Sequence, residues 1–336
     1  VTTPNSCFSG ADGGMAGENS PDVDLDLLRV SAREFLAERE ETGSVEDLAA
    51  MDWTGLLVDE DLGGAGWRPV ETCVLAEELG RARDASAWLG TTVAAAALAS
   101  ARDDVRKDWL ADLLAGTATA GLAVESDCAR VILGDSVDIV VLLGCSGIQL
   151  FRDLDSARPY PDGDLLDVTR PVWRVDLASI SGVSIGSSDR AEKLLAVARL
   201  LVSADSVGAV SMTLERLTAY LRKRVAFGVP IASFQAIQHR LVDLLVFEVK
   251  ARAVIMRAAR AIVAGDKRAT ALTAAAHAFV AAKATAAVDE CMQLSGGIGF
   301  TWEYPLHYEL RRVYTNAQLL GTARSSRGLL AEVSGW

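Results

Sequence analysis

From Asp189 to Trp336 the chain consists of long Ala- and Leu-rich stretches interrupted at only a few points, and this leaves few folds open. The first stretch runs from AEKLLAVARLL to AYLRKR. Gly228 and Pro230 then stop it. Ser233 stands where an N-cap is expected for a second helix, with Phe234, Ile237, Leu241, Leu244 and Leu245 predicted on one face. Gly265 ends that helix, Asp266 is placed to cap a third, and Gly296 and Gly297 close it. A fourth helix is predicted from about Leu306 to Val333. Long helices joined by short loops must fold back on one another, so the spacing predicts an antiparallel four-helix bundle over residues 189–336.

At 336 residues the chain is too long for one hydrophobic core. Residues 22–116 read as a helical N-terminal domain, with DVDLDLLRVSAREFLAERE carrying its apolar side chains at helical spacing. From Thr117 to Ser188 short β-rich runs (TATAGLAVE, DIVVLLG, GIQLFRDL) alternate with Gly, Asp and Ser turns, which predicts a small, reduced middle β domain over residues 117–188. The fold class expected is therefore mainly α with a small β domain. Residues 1–21 are polar and Gly-rich with no basic or apolar targeting region, and read as a disordered leader.

Composition narrows the possible partners. A net charge of −12 argues against nucleic acid and anionic membranes. No apolar run looks both long and uncharged enough to span a bilayer. The five cysteines are scattered without a CxxC pair or a His at ligand spacing, so no metal site and a cytoplasmic location are expected.

Within this acidic chain, "RKRVAFGVPIASFQAIQHR" (222–240) places Arg222, Lys223 and Arg224 at the end of a helix. Cations there can simply offset the helix dipole. The alternative is that an anionic ligand sits against them.

Two motifs decide between these readings. "RVAFGVPIASFQAIQHRLVDL" (224–244) and "QLSGGIGFTWEYPLHYELRR" (293–312) resemble, in order, the two C-terminal signatures of the acyl-CoA dehydrogenase family. "GLLVDEDLGGAG" (55–66) with "VLAEELGRA" (74–82) resembles its N-terminal helical domain. The resemblance covers residues 22–336 and is weakest in the β region. It implies FAD as cofactor, held between subunits, and an acyl-CoA thioester as substrate. The Arg at the position of Arg224 meets the FAD pyrophosphate, a pairing that suits a planar guanidinium. Phe227, Phe234 and Gln235 fall on positions lining the same cofactor, with Gly228 and Pro230 shaping the reversal between helices. Gln293, Gly296, Gly297 and Thr322 carry over as further FAD contacts. Arg222 and Lys223 receive no role, and His239, His277 and His307 read as structural or surface residues.

The family's α-proton abstraction needs a carboxylate, usually the Glu of a Tyr-Glu-Gly-Thr element. Counting without a gap from Glu303 to Gly321 and Thr322 places Leu319 and Leu320 at the Tyr-Glu positions. Some members carry the Glu on the first bundle helix, where Ala198 stands here. Asp205 and Glu303 are the remaining candidates, Asp205 reading first as an ordinary polar helix position. The family's Thr-Glu-Pro and Gly-Ser-Asp elements are replaced near "VESDCARVILG". The resemblance thus implies α,β-dehydrogenation of an acyl-CoA by one subunit of a heteromeric enzyme. It resembles the actinobacterial α2β2 type acting on steroid side-chain thioesters, in which FAD lies between unlike subunits. Two alternatives stay open: a non-catalytic subunit completing a partner's FAD site, and a flavin-dependent monooxygenase on the same fold. The partner expected is a homologous subunit in a heterotetramer, or a second copy in a homo-oligomer. Apolar faces in AAAHAFVAAKATAAV (274–288) place that contact on the bundle.

Overall fold

Residues 24–39, 44–124, 130–132, 137–152, 154, 160–161, 166–170, 172–177 and 180–336 are described by this computed structural model. The leader expected at residues 1–21 and most of the VESDCARVILG stretch lie outside the described residues.

Helix α1 (Leu25–Glu38) begins where the Asp24 carboxylate accepts from the Asp26 and Leu27 amides at 3.0 and 3.1 Å. A Ser44–Asp47 capping box starts α2 (Val45–Ala49). The short apolar piece before the glycines is β1 (Leu57–Val58), which pairs antiparallel with β2 (Gly66–Trp67). Three helices follow: α3 (Pro69–Ala82), α4 (Trp88–Ala99) and α5 (Asp103–Ala115). Helix α4 is apolar on every side and buried from Trp88 to Leu98, so it forms the centre of the N-terminal helical layer.

Among the described residues, seven strands form one sheet in the order β7-β8-β4-β3-β5-β6-β9. They are β3 (Ala120–Val124), β4 (Arg130–Ile132), β5 (Ile139–Gly144), β6 (Gly147–Phe151), β7 (Tyr160–Pro161), β8 (Val172–Arg174) and β9 (Val183–Gly186). The central pair β3–β5 is parallel and the other pairs are antiparallel. Both central strands are buried on two faces, as a near-continuous apolar run requires. Leu122 and Val141 join the main core, whereas Ala123 and Val140 join a second cluster with Phe151 and Val175.

The bundle starts with α6 (Ser188–Lys223), a 36-residue helix, followed by α7 (Gln235–Val263) and α8 (Ala269–Ser295). The expected fourth helix is two helices, α9 (Leu306–Asn316) and α10 (Ala323–Val333). Leu320 and Gly321 turn at φ +57° and +109°, and Thr322 restarts the helix through a capping box with Ser325. Two predicted caps move as well. Phe234 is the N-cap of α7, while the Ser233 hydroxyl donates to the Pro230 carbonyl at 2.7 Å. Helix α8 begins three residues after Asp266, whose carboxylate is taken by the Arg268 amide and guanidinium.

The expectation that no helix could span a bilayer needs correction. Helices α6 and α8 are long and apolar enough by length and composition. Packing buries 78% of the α6 window in the fold but only 50% of the window that begins with α8. Helices α3 and α6 cross closely at Gly80 and Gly208. A Cβ on either would run into the other helix's backbone.

Candidate functional site

Two strands reverse the chain between α6 and α7: β10 (Val225–Ala226) and β11 (Val229–Pro230), paired 225↔230 and 226↔229. The loop is therefore two residues long, Phe227 and Gly228, with φ of +54° and +81°. Positive φ at both positions is the requirement of a type I′ turn, where Asn or Gly is normally found at the first. A phenylalanine there costs about 1–2 kcal/mol of backbone strain. Its ring is also 96% exposed, so it recovers nothing by burial. Phe234 lies edge-on to it, with ring centroids 6.3 Å apart.

Arg224 is the C-cap of α6, its amide bonded to the Tyr220 carbonyl at 2.9 Å. Its exposed guanidinium has no hydrogen-bond or ion-pair partner among the described residues. Helices α7 and α8 run antiparallel, and an Arg240–Glu290 ion pair ties the start of one to the end of the other. Gln235 and Gln293 are both exposed at that same end. There Gly296 adopts φ +69°, ψ −149°, a conformation essentially restricted to glycine, and the space where a Cβ would stand on Gly296 or Gly297 is empty. Arg224, Phe227, Phe234, Gln235, Gln293, Gly296 and Gly297 thus share one end of the bundle. Unpaired cation, exposed aromatic rings and uncovered glycine backbone together fit an anionic cofactor carrying planar rings.

Thr322 is not with them. Its hydroxyl accepts from the Ser325 amide at 3.2 Å, and the neighbouring Leu320 carbonyl accepts from Arg199 Nε at 2.9 Å. Arg199 and Arg224 are on the same helix, separated by roughly 37 Å at about 1.5 Å per residue. Leu319 and Leu320 are buried in the main core, as is Ala198. The position where a base is expected is filled by hydrocarbon.

Neither remaining carboxylate candidate is placed to act as a base. Asp205 is 2% exposed and accepts hydrogen bonds from Arg170 (2.6 Å), Arg312 (2.9 and 2.6 Å) and Asn316 (2.7 Å). Burial pushes its pKa up, but Arg170 and Arg312 outweigh this and hold it well below the usual carboxylate range. Asp205 is therefore a structural acceptor, ionised at neutral pH, that joins three parts of the fold. Glu303 is exposed, and hydrogen bonds from its own amide and Thr301 lower its pKa.

Sequence reasoning missed Glu309, which is 0% exposed. Burial raises its pKa, although Arg216 at 3.0 Å and Arg83 at 3.8 Å oppose the shift. Its i,i+3 relation to Arg312 was visible in the sequence, but its partners on α6 and after α3 were not. His277 is buried, with Nδ1 2.8 Å from the Ser326 hydroxyl, and burial brings its pKa down to about 4.

Helix α7 carries a second apolar stripe. Val242, Leu245, Val246 and Val249 are exposed at helical spacing, so Leu245 and Phe234 lie outside the predicted buried face. In the 274–288 segment Ala274, Ala276, Ala278, Val280, Ala284, Ala287 and Val288 are buried, while Ala282 and Ala286 are exposed. Further exposed apolar side chains lie one helix earlier, on α7.

Residues 26–117 match the acyl-CoA dehydrogenase N-terminal domain family, and residues 188–335 match the C-terminal domain family. Acyl-CoA dehydrogenase IpdE2 of Mycobacterium tuberculosis is 36% identical over 272 residues, 80% of this chain and 79% of its own. Acyl-CoA dehydrogenase FadE34 of the same organism is 30% identical over 291 residues, 82% of this chain but 39% of its own. Among solved structures, the Tcur3481–Tcur3483 steroid acyl-CoA dehydrogenase superposes with a TM-score of 0.80 at 22% identity, covering 93% of this chain and 98% of that one. The ChsE4–ChsE5 complex of Mycobacterium tuberculosis gives 0.79 at 20% identity, covering 94% and 98%.

Proposed function

The chain belongs to the acyl-CoA dehydrogenase family, FAD-dependent oxidoreductases acting on CH–CH bonds, and from that premise we propose that it is one subunit of a heteromeric enzyme that desaturates an acyl-CoA thioester between Cα and Cβ. The observation that carries this reading is Leu320, buried in the core where the family's carboxylate is expected. A leucine cannot accept a proton, and on this reading the base comes from another chain.

FAD, when bound, supplies the acceptor for the β-hydride. This chain's residues bind and orient it. Arg224 offers a bidentate guanidinium to the pyrophosphate, the exposed Gly296–Gly297 backbone lets phosphate oxygens approach, and Phe227 with Phe234 gives planar rings a surface. Gln235 and Gln293 add amide groups beside it. The separation of Thr322 from this cluster supports a site assembled from two chains, because one cofactor cannot bridge the roughly 37 Å along α6 between Arg199 and Arg224. The exposed stripe at Val242, Leu245, Val246 and Val249 supports contact with a related subunit. The steroid substrate and the two-component assembly named for the structural neighbours make steroid side-chain thioesters the first class to test.

The test is reconstitution. Alone and loaded with FAD, the chain should not bleach anaerobically with an acyl-CoA, since a positioned base contributes about 10²–10⁴-fold. Mixing with a homologous subunit that carries the Glu should restore bleaching, and substituting that Glu should abolish it. Rapid bleaching by this chain alone would overturn the proposal.

A further inference from the structure

The residues proposed to hold FAD come from two different helices. Arg224 and Phe227 follow α6, whereas Gln293, Gly296 and Gly297 close α8. Hydrogen bonds within either helix do nothing to fix the gap between them. A guanidinium fork and a bare glycine backbone can grip one pyrophosphate only if that gap is held to about 0.5 Å. On the α8 side, Gly296–Phe300 form a 3₁₀ turn that folds back on its own helix. Gly299 is buried there, and a Cβ on it would stand 2.5 Å from the Met292 carbonyl oxygen. On the α6 side, the Arg224 amide donates to the Tyr220 carbonyl at 2.9 Å, and the Arg224 carbonyl accepts from the Ile231 amide at 2.8 Å. Each wall is braced within itself, and something else must set the distance between them.

Tyr304, between that turn and α9, spans the two. Its hydroxyl donates to the Arg216 carbonyl on α6 at 3.4 Å. Its ring lies against that of Tyr220, with centroids 5.8 Å apart and planes tilted by 51°. The same hydroxyl is within hydrogen-bonding reach of the Ser295 side chain, the last residue of α8. Burial raises the Tyr304 pKa, and Ser295 and the Arg216 charge oppose the shift. Arg216 is held from its other end as well, because its guanidinium donates at 3.0 Å to the fully buried Glu309 on α9. Tyr304 therefore touches both the residue that precedes Gly296 and the residue whose carbonyl holds the Arg224 amide.

We propose that Tyr304 is a positioning residue for FAD, setting the gap between Arg224 and the Gly296–Gly297 backbone, an inference that rests on the cofactor site proposed for this end of the bundle. It acts through Arg224. A hydroxyl contact of 3.4 Å is at the long end for a hydrogen bond, so the ring against Tyr220 carries most of the effect. Without that ring the end of α6 loses its contact with the end of α8, and the guanidinium fork drifts from phosphate oxygens whose bonds weaken steeply with misalignment.

The experiment titrates the full chain with FAD by flavin fluorescence and records the unfolding midpoint of the FAD-free chain in parallel. Tyr304→Leu removes ring and hydroxyl and should weaken FAD about tenfold. Tyr304→Phe keeps the ring against Tyr220 and should bind within about threefold of wild type. In an Arg224→Ala background, Tyr304→Leu should cost less than about threefold, because its effect passes through Arg224. A tyrosine that only stabilised the fold would lower the midpoint and weaken FAD equally in both backgrounds. Tyr220→Leu, on the opposite side of the same contact, should repeat the loss, and it carries the test should Tyr304→Leu fail to fold. The proposal is overturned if these leucine variants bind FAD as wild type does, or if their loss is as large without Arg224 as with it. Arg224→Ala binding FAD as wild type does would instead remove the cofactor site itself, and this role of Tyr304 with it.

Discussion

Replacing Asp205 with asparagine separates a structural carboxylate from a catalytic one. In the folded chain Asp205 pairs with both Arg170 and Arg312 and also accepts from Asn316. In the Asp205→Asn variant the side chain would keep one acceptor oxygen but turn an amide donor toward guanidinium donors. Removing one partner of a buried ion pair costs about 3–5 kcal/mol, chiefly because the other charge is left stranded. At about 2–4 °C per kcal/mol for domains of 150–250 residues, the unfolding midpoint should fall by roughly 10 °C. Because the folded pKa is depressed, this stabilisation is present above the ordinary carboxylate range and is lost only as pH falls through the folded value. The loss in the variant should therefore be constant across neutral pH. Combining Asp205→Asn with Arg312→Met should cost less than the sum of the single changes, since fewer charges remain stranded. Thermal and urea unfolding measure all three variants, and anaerobic flavin bleaching with the complementing subunit measures function. A variant as stable as wild type but unable to support bleaching would refute the structural role and restore Asp205 as a base.

Arg224→Ala should weaken FAD binding about ten- to a hundredfold, from the roughly 1.5–3 kcal/mol of a charge-assisted hydrogen bond. Arg222→Ala should change it little, and equal losses by flavin fluorescence titration would contradict the assignment. Glu303 is exposed, so Glu303→Gln should stay within about 0.5 kcal/mol of wild type in stability and retain most bleaching in the reconstituted pair. His277, lowered from 6.5 to about 4 by burial, stabilises the fold in its neutral form. Stability should be full above about pH 6.5 and fall by about 3 kcal/mol towards pH 4, because the unfolded chain binds the proton more readily. His277→Gln should flatten that portion of the midpoint–pH curve, and parallel curves would count against the reasoning. Leu245→Glu with Val249→Glu should leave the chain folded by circular dichroism but reduce its assembled mass in light scattering. Unchanged mass with FAD and the partner present would remove α7 from the interface.

Local chemistry made much of this protein readable in its sequence. Gly265 and Gly296 end helices because only glycine adopts their backbone angles cheaply, and those positions hold in the structure. The alternating texture of residues 117–188 announced strands, and the gap-free register from Glu303 placed Leu320 where a carboxylate would stand. The cluster around Arg224 was legible only through the resemblance of its two motifs to the family's, because the residues themselves fit helix-end chemistry equally well. Other features depend on contacts between distant segments, which no local pattern encodes. Asp205 looked like an ordinary helix position until Arg170, Arg312 and Asn316 were brought around it from a loop of the β region and from α9. The break at Leu320 follows from a tertiary hydrogen bond from Arg199 and a capping box that a helical pattern conceals. Two apolar stripes on α7 look alike in one dimension. Only packing decides that Leu244 is buried and Leu245 is exposed, because side chains one residue apart point about 100° apart around the helix.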